Sequence, residues 1–381
     1  MIISSEFDGG NIECIDCSDP SRVLLDIRAD RESEFYQWFY FRAANVRDLD
    51  CRYLITNAAG AAYQKGWQDY QAVASYDREF WFRVDTSFDG ENLVIEHNSI
   101  EDQVYFAYFA PYSMERHADL IAFAQTSERC QVETLGLTLD GQTMDCLRFG
   151  EPAASRKTVW MVARQHPGET MAEWWMEAMV NRLVDHSDPV VNALLDKAVI
   201  YLVPNMNPDG SRRGHLRTNA VGSNLNREWD NPSQDKSPEV LCVLDKITQT
   251  GLDFGFDVHG DEALAYNFIA GTEGIPGWNR DRQQRLELFK MTLANLNPDF
   301  QVECGYPANS AGNANMSYCS NSLAERFGAL VMTLEMPFKD ATATFRTPTL
   351  HGIRGRSPER CGRLAHSCLD ALHLCWDQVI D

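Results

Sequence analysis

No apolar run in this 381-residue chain reaches the 18 or more residues that a membrane-spanning helix needs, which excludes an integral helical membrane protein. Basic residues are scarce, 34 Lys and Arg against 55 Asp and Glu, for a net charge of −21. Nucleic acids and anionic membranes both recruit basic faces, so neither is expected as a partner. Internal repeats and low-complexity tracts are absent, and 44% apolar with 23% charged residues is ordinary globular composition, which excludes disordered and fibrous classes. The N-terminal MIISSEFDGG lacks a basic stretch followed by an apolar one, so no secretory signal is expected. The eleven cysteines form no disulfide framework. Reduced thiols and a cytoplasmic location are the expectation. Cys14 and Cys17 make a CxxC with no second pair at zinc-finger spacing and read as surface thiols.

What is present changes character near residue 125. Before it lie short segments rich in aromatic and β-branched residues: Arg22–Ile27, Phe35–Arg42, Arg52–Thr56, Phe80–Asp85, Leu93–Glu96 and Val104–Phe109, with Asp89-Gly90 as a hairpin signal. They predict an antiparallel β-sandwich over residues 1–125, closed by a helix at Met114–Phe123 behind a Ser113 cap. The aromatics Trp38, Tyr40, Trp81, Tyr105 and Tyr108 read as its core and interface. Over residues 126–381, strands (Thr158–Ala163, Ala198–Pro204, Phe254–Val258, Ala329–Leu334) alternate with helices (Met171–Leu183, Pro238–Thr250, Arg282–Leu296, Pro358–Val379). The second and fourth helices begin with Ser-Pro-Glu, an N-cap followed by a first-turn proline. This alternation predicts an α/β sheet with helices on its faces.

Polar clusters lie just beyond those four strands: Arg164 to Glu169, Asn205 to Gly210, His259-Gly260-Asp261, and Glu335. Ligands of open α/β sheets bind beyond the carboxyl ends of the strands, so four clusters on one sheet can converge on one site. His166 and Glu169, three apart across Pro-Gly, can offer an imidazole and a carboxylate to one zinc ion, with His259 as the third ligand. Alone, that spacing equally suits a hydrogen-bonded structural histidine. Arg227 with Asn226 can grip a free carboxylate, and Arg217 can stabilise an oxyanion; each also reads as a surface loop residue. Glu335 ends an apolar strand, where a carboxylate is costly to bury unless paired or used as a base.

In their order, HPGE, NPDG, Arg, NR, HG and TLE, these residues resemble the M14 zinc carboxypeptidases, most closely the cytosolic carboxypeptidase branch with its bacterial members. WFYFRAANV and VYFAYFAPYS resemble the β-sandwich that precedes the peptidase in that branch. The resemblance spans roughly Phe35 to Phe338. It implies a mixed eight-stranded sheet between helices and hydrolysis of the C-terminal peptide bond of peptides or proteins by metal-activated water. It further implies one zinc ion on His166, Glu169 and His259, Arg217 on the scissile carbonyl, Asn226 and Arg227 on the terminal carboxylate, and Glu335 as general base and acid. Three features depart from the family pattern. Asn224 stands where the family has the aspartate that accepts from a ligand histidine. Tyr318 is the one tyrosine in Asn313–Thr333 available as the family's mobile tyrosine. Arg326 is the one basic residue ahead of Glu335 available to a glutamate-trimming pocket. Two alternatives stay open: a zinc-dependent hydrolase of N-acyl amino acids, and a catalytically silent binding protein.

Overall fold

The computed structural model describes residues 1–340 and 357–380. Ten strands precede the first α-helix: β1 (Ile2–Ser4), β2 (Glu13–Asp16), β3 (Val23–Asp26), β4 (Tyr40–Ala44), β5 (Asp50–Ile55), β6 (Val73–Ser75), β7 (Phe82–Arg83), β8 (Asp85–Phe88), β9 (Leu93–Asn98) and β10 (Gln103–Ala107). They form two five-stranded sheets, β1-β4-β10-β6-β7 and β2-β3-β5-β9-β8. Pairing is antiparallel except between β3 and β5, which run parallel. Aromatic side chains join the sheets: the Tyr53 ring lies 5.8 Å from Phe41 and 4.8 Å from Phe106. Trp38, Tyr40 and Tyr108 are buried as expected of core residues, whereas Trp81 and Tyr105 are half-buried.

The helix α1 (Met114–Ala124) starts at Ser113, whose hydroxyl accepts from Arg116 N at 3.1 Å. It does not close the sandwich. It packs on α2 (Thr170–Leu183), α4 (Pro208–Arg213), β11 (Cys130–Leu137) and β12 (Thr143–Phe149), all elements of the second unit.

The second sheet adds β13 (Lys157–Ala163), β14 (Ala198–Val203), β15 (Phe254–Asp261), β16 (Phe268–Ala270) and β17 (Leu330–Pro337), in the order β11-β12-β14-β13-β15-β17-β16. Among the described residues it has seven strands, not the expected eight. The four central strands are parallel and nearly all buried, which is why they read as continuous apolar runs. Their side chains alternate between two cores. Val159, Met161 and Ala163 face α2, α6 (Arg280–Leu296) and α8 (Pro358–Leu374), whereas Trp160 and Val162 face α5 (Pro238–Thr250) and α7 (Cys319–Phe327). Three helices were not expected from the sequence, α3 (Pro189–Lys197), α4 and α7, while the predicted last helix breaks at Cys375 before α9 (Trp376–Val379). Ser237 and Ser357 occupy the expected N-cap positions of α5 and α8, but neither hydroxyl makes the cap bond.

The sandwich and the sheet are mated. Tyr108 stacks on Phe338 with ring centroids 4.5 Å apart, Arg83 Nη2 donates to Phe338 O at 2.8 Å, and Lys339 Nζ donates to Lys65 O and Gln68 O. No described helix is long and apolar enough to cross a membrane.

Candidate active site

The parallel strands β13, β15 and β17 deliver three groups to one place. Beyond β13 the chain turns at Arg164, a non-glycine residue at φ +57°. Its guanidinium holds that turn, donating to Pro167 O and Tyr112 O at 2.9 Å each and pairing with Glu173 at 2.6 Å. His166 comes two residues later, and Glu169 occupies the N-cap of α2 without capping it, so its carboxylate is free to face inward. His259 lies on β15 directly beside Glu335 on β17, two side chains in register on adjacent strands. A side chain at Gly168 would meet Leu216 O at 3.0 Å, so glycine lets the 215–218 loop, which carries Arg217, close on the ligand turn.

The two histidine Nδ1 atoms flank one carboxylate. His166 Nδ1 lies 2.6 Å from Glu169 Oε1 and His259 Nδ1 lies 2.7 Å from Oε2. The opposite ring nitrogens are occupied: His166 Nε2 faces Asn224 Oδ1 at 3.0 Å and His259 Nε2 faces Asp257 Oδ1 at 2.9 Å. Asn224 therefore still accepts from the histidine, although without a carboxylate's charge. Burial and the facing Arg217 charge push the His166 ring down to about 4. Burial would lower His259 too, but Asp257 and Glu169 outweigh it and hold it well above the usual histidine range. Burial would raise Glu169, yet the two rings keep it well below the usual carboxylate range.

Around this cluster lies a cavity of about 450 Å³ lined also by Arg217, Asn226, Arg227, Tyr318 and Glu335. Arg227 stacks over Tyr318, 3.8 Å from Cζ to the ring centroid, and Nη1 donates to Asn226 O at 2.6 Å. Asn226 lines the cavity with both amide atoms partnered, Nδ2 beside His259 Nε2 at 3.3 Å and Oδ1 accepting from Cys319 N at 2.8 Å. Glu335 is buried, and its Oε2 has no hydrogen-bond partner among the described residues. Burial raises its carboxyl well above the usual range against the lowering by His259, with Glu169, Asp261 and Glu262 adding to the rise.

Against known proteins, residues 3–109 match the cytosolic carboxypeptidase N-terminal domain, and residues 117–291 match zinc carboxypeptidase. A metallo-carboxypeptidase structure from Burkholderia cenocepacia is 44% identical over 99% of each chain with a TM-score of 0.94. The chain belongs to the M14 zinc carboxypeptidases. A metallo-carboxypeptidase from Pseudomonas aeruginosa, solved with (2-guanidinoethylmercapto)succinic acid, is 40% identical over the whole of both chains with a TM-score of 0.94. Human cytosolic carboxypeptidase 6 is 27% identical over 79% of this chain, which spans 64% of that protein.

The residues of this zinc carboxypeptidase fit the family's metal. The candidate ligand atoms of His166, Glu169 and His259 all lie within 4.8 Å of one another, a nitrogen and oxygen set that zinc accepts. Both Nδ1 atoms converge on Glu169 while each Nε2 is tied behind. The raised His259 marks a point where positive charge is stabilised, and a dication placed there would displace that proton.

Not every sequence cluster reaches the cavity. Asn205 to Gly210 instead supports it from behind: Asn207 Nδ2 donates to Gln165 O at 3.0 Å, and Asp209 accepts from Thr138 Oγ1 at 2.6 Å. Arg326 does not line the cavity either. On α7 it donates to Ser322 Oγ, Trp229 O and Asp230 O, so it is a structural residue and not a pocket determinant. Besides Arg217 and Arg227, Lys290 of α6 lines the cavity. Sequence reasoning also missed Asp257, the partner of His259. An acid two residues before a histidine on a strand shares its face, and that was the available signal. Tyr306, whose hydroxyl donates to Asp261 Oδ2 at 2.5 Å and lies 3.4 Å from Glu335 Oε1, gave no such signal.

Behind the ligand turn, buried His117 pairs with Glu173 at 2.6 Å and Asp145 at 3.3 Å. Burial alone would lower it, but those carboxylates raise it to about 9. The protonated ring therefore stabilises the fold fully below the unfolded value near 6.5 and ceases to do so as pH rises through about 9. His117→Asn is expected to cost about 3 kcal/mol at pH 6, with the difference from wild type shrinking above pH 9. Denaturant melts across that range measure it, and a pH-independent difference would refute the assignment.

Proposed function

We propose that this zinc carboxypeptidase removes single residues from free C-termini of peptides or proteins in the cytoplasm, with His166, Glu169 and His259 holding one zinc ion. Zinc bound there supplies Lewis acidity, polarising water and the scissile carbonyl oxygen. Glu335 takes the proton of the attacking water and passes it to the leaving amine. Arg217 hydrogen-bonds the oxygen on which charge develops. Arg227, with Asn226 fixing its loop, grips the terminal carboxylate so that a chain end, not an internal peptide bond, fits. The observation that carries this reading is Glu335 Oε2, unpartnered among the described residues and buried in the same cavity as the two converging Nδ1 atoms and two arginines. The dicarboxylate bound by the Pseudomonas aeruginosa relative accords with a carboxylate-receiving cavity. The sandwich ahead of the peptidase, matched over residues 3–109, favours this reading over an N-acyl amino acid hydrolase.

Metal analysis tests the ligand set. Wild type is expected to hold one zinc per chain after dialysis. His166→Ala, Glu169→Ala and His259→Ala are each expected to lose it while Glu335→Gln retains it. Full zinc retention by any of the three alanine variants would remove that residue from the set.

A further inference from the structure

To polarise the scissile carbonyl, Arg217 needs its guanidinium aimed into the cavity, yet among the described residues that group makes no ion pair or hydrogen bond. Its position is set from the other unit of the molecule. Asp30, buried in the N-terminal sandwich, accepts from three successive backbone N–H groups: Leu216 N to Oδ1 at 2.6 Å, and Arg217 N and Thr218 N to Oδ2 at 2.8 and 2.9 Å. Thr218 Oγ1 donates to the same Oδ2 at 3.1 Å. On either side, Arg31 N donates to His215 Nε2 at 3.1 Å and Asn11 Nδ2 to Gly214 O at 2.9 Å. Two more sandwich residues flank the guanidinium itself, with the Phe35 and Tyr63 rings each 5.5 Å from its Cζ. Asp30 N donates to Phe35 O at 2.8 Å, so one turn presents both the carboxylate and a ring.

We infer that Asp30 is a positioning residue for catalysis: the sandwich clamps the backbone of residues 216–218 and so aims Arg217 at the substrate carbonyl. This role rests on the carboxypeptidase chemistry proposed for Arg217. A carboxylate suits the task because it accepts on both oxygens and donates nothing, and three aligned N–H dipoles favour an anion. An asparagine would offer one accepting oxygen and turn its NH2 toward an N–H. A guanidinium displaced by about 1 Å loses on the order of 10²-fold in rate. Substrate affinity, resting on Arg227, should change little.

The test is a double-mutant cycle on one free-acid peptide with the zinc-loaded full chain, comparing wild type, Asp30→Asn, Arg217→Ala and the double variant. Zinc content and melting temperature are measured alongside. Asp30→Asn is expected to keep its zinc and to lower kcat by about 10- to 100-fold with KM within about threefold. On the Arg217→Ala background it should add less than about threefold, because its effect runs through Arg217. Equal losses in both backgrounds, or none in either, would overturn the positioning role. If Arg217→Ala itself leaves kcat/KM within about threefold, the oxyanion assignment fails and takes this inference with it; a large loss there with additive Asp30→Asn sinks the inference alone. Should Asp30→Asn not fold, Phe35→Leu, whose ring flanks Arg217 without lining the cavity, replaces it in the same cycle. Non-additivity is again the expected result, and additivity the contrary one.

Discussion

Glu335→Gln is expected to lower kcat by about 10²–10⁴-fold while zinc content and KM stay close to wild type. Glutamine fills the same space and still hydrogen-bonds, but it cannot take a proton from water. The side chain is not in the ligand set, so metal retention separates loss of a base from loss of the site. A second consequence concerns the metal-free protein. Burial, with Glu169, Asp261 and Glu262 nearby, raises the Glu335 carboxyl well above its usual range. The folded chain therefore binds that proton more tightly than the unfolded one, and metal-free wild type loses stability as pH rises above about 4.5 through the raised folded value. Glu335→Gln lacks this titration, so its metal-free form should melt above wild type at neutral pH. Bound zinc, a large local positive charge, should erase that advantage by favouring the carboxylate. Activity within tenfold of wild type, or loss of zinc from the variant, would contradict the assignment.

Arg227→Ala is expected to reduce kcat/KM for free-acid peptides by about 10²–10³-fold, the scale of leaving one partner of a buried charge pair unmatched. Arg227→Lys should recover only part of this, since an ammonium cannot reproduce a two-pronged grip. Substrate chemistry gives the sharper test. Wild type should ignore a C-terminally amidated peptide, and the ratio of acid to amide turnover should collapse in Arg227→Ala because the discriminating charge is gone. Steady-state kinetics on a matched acid and amide pair measure both. A variant that discriminates as strongly as wild type would show that the carboxylate is read elsewhere, with Arg217 and Lys290 the other cations of the cavity.

The strands that carry the site were legible because parallel strands buried on both faces read as apolar runs, and their catalytic residues sit where the runs stop. His166, Glu169, His259 and Glu335 come together in the structure for that reason. The strands β11 and β12 were not foreseen. Beyond its buried Met144, β12 reads apolar only as CLRF, while β11 alternates partly exposed residues along the sheet's edge. The predicted strand from Phe35 failed over its first half because Gln37 lies buried among aromatics, bonding Tyr63 O and Tyr63 N through its side chain while ladder pairing starts at Tyr40. Arg326 misled because α7 is so polar in sequence that its inward face was invisible. Asp30 lies 187 positions from Arg217 and belongs to a different unit, so no local pattern joins them. Tyr306 sits in a loop with no periodicity that would aim it at Glu335.

The most direct test of a zinc-dependent, C-terminal exopeptidase is one digestion read by mass spectrometry. A peptide pool with all twenty C-terminal residues, each as free acid and as amide, is incubated with the zinc-loaded protein and, in parallel, with chelator present. The expected result is loss of single residues from free-acid ends only, abolished by chelator and restored by added zinc. Internal cleavage, trimming of amidated ends, or no cleavage by protein shown to hold one zinc per chain would contradict it.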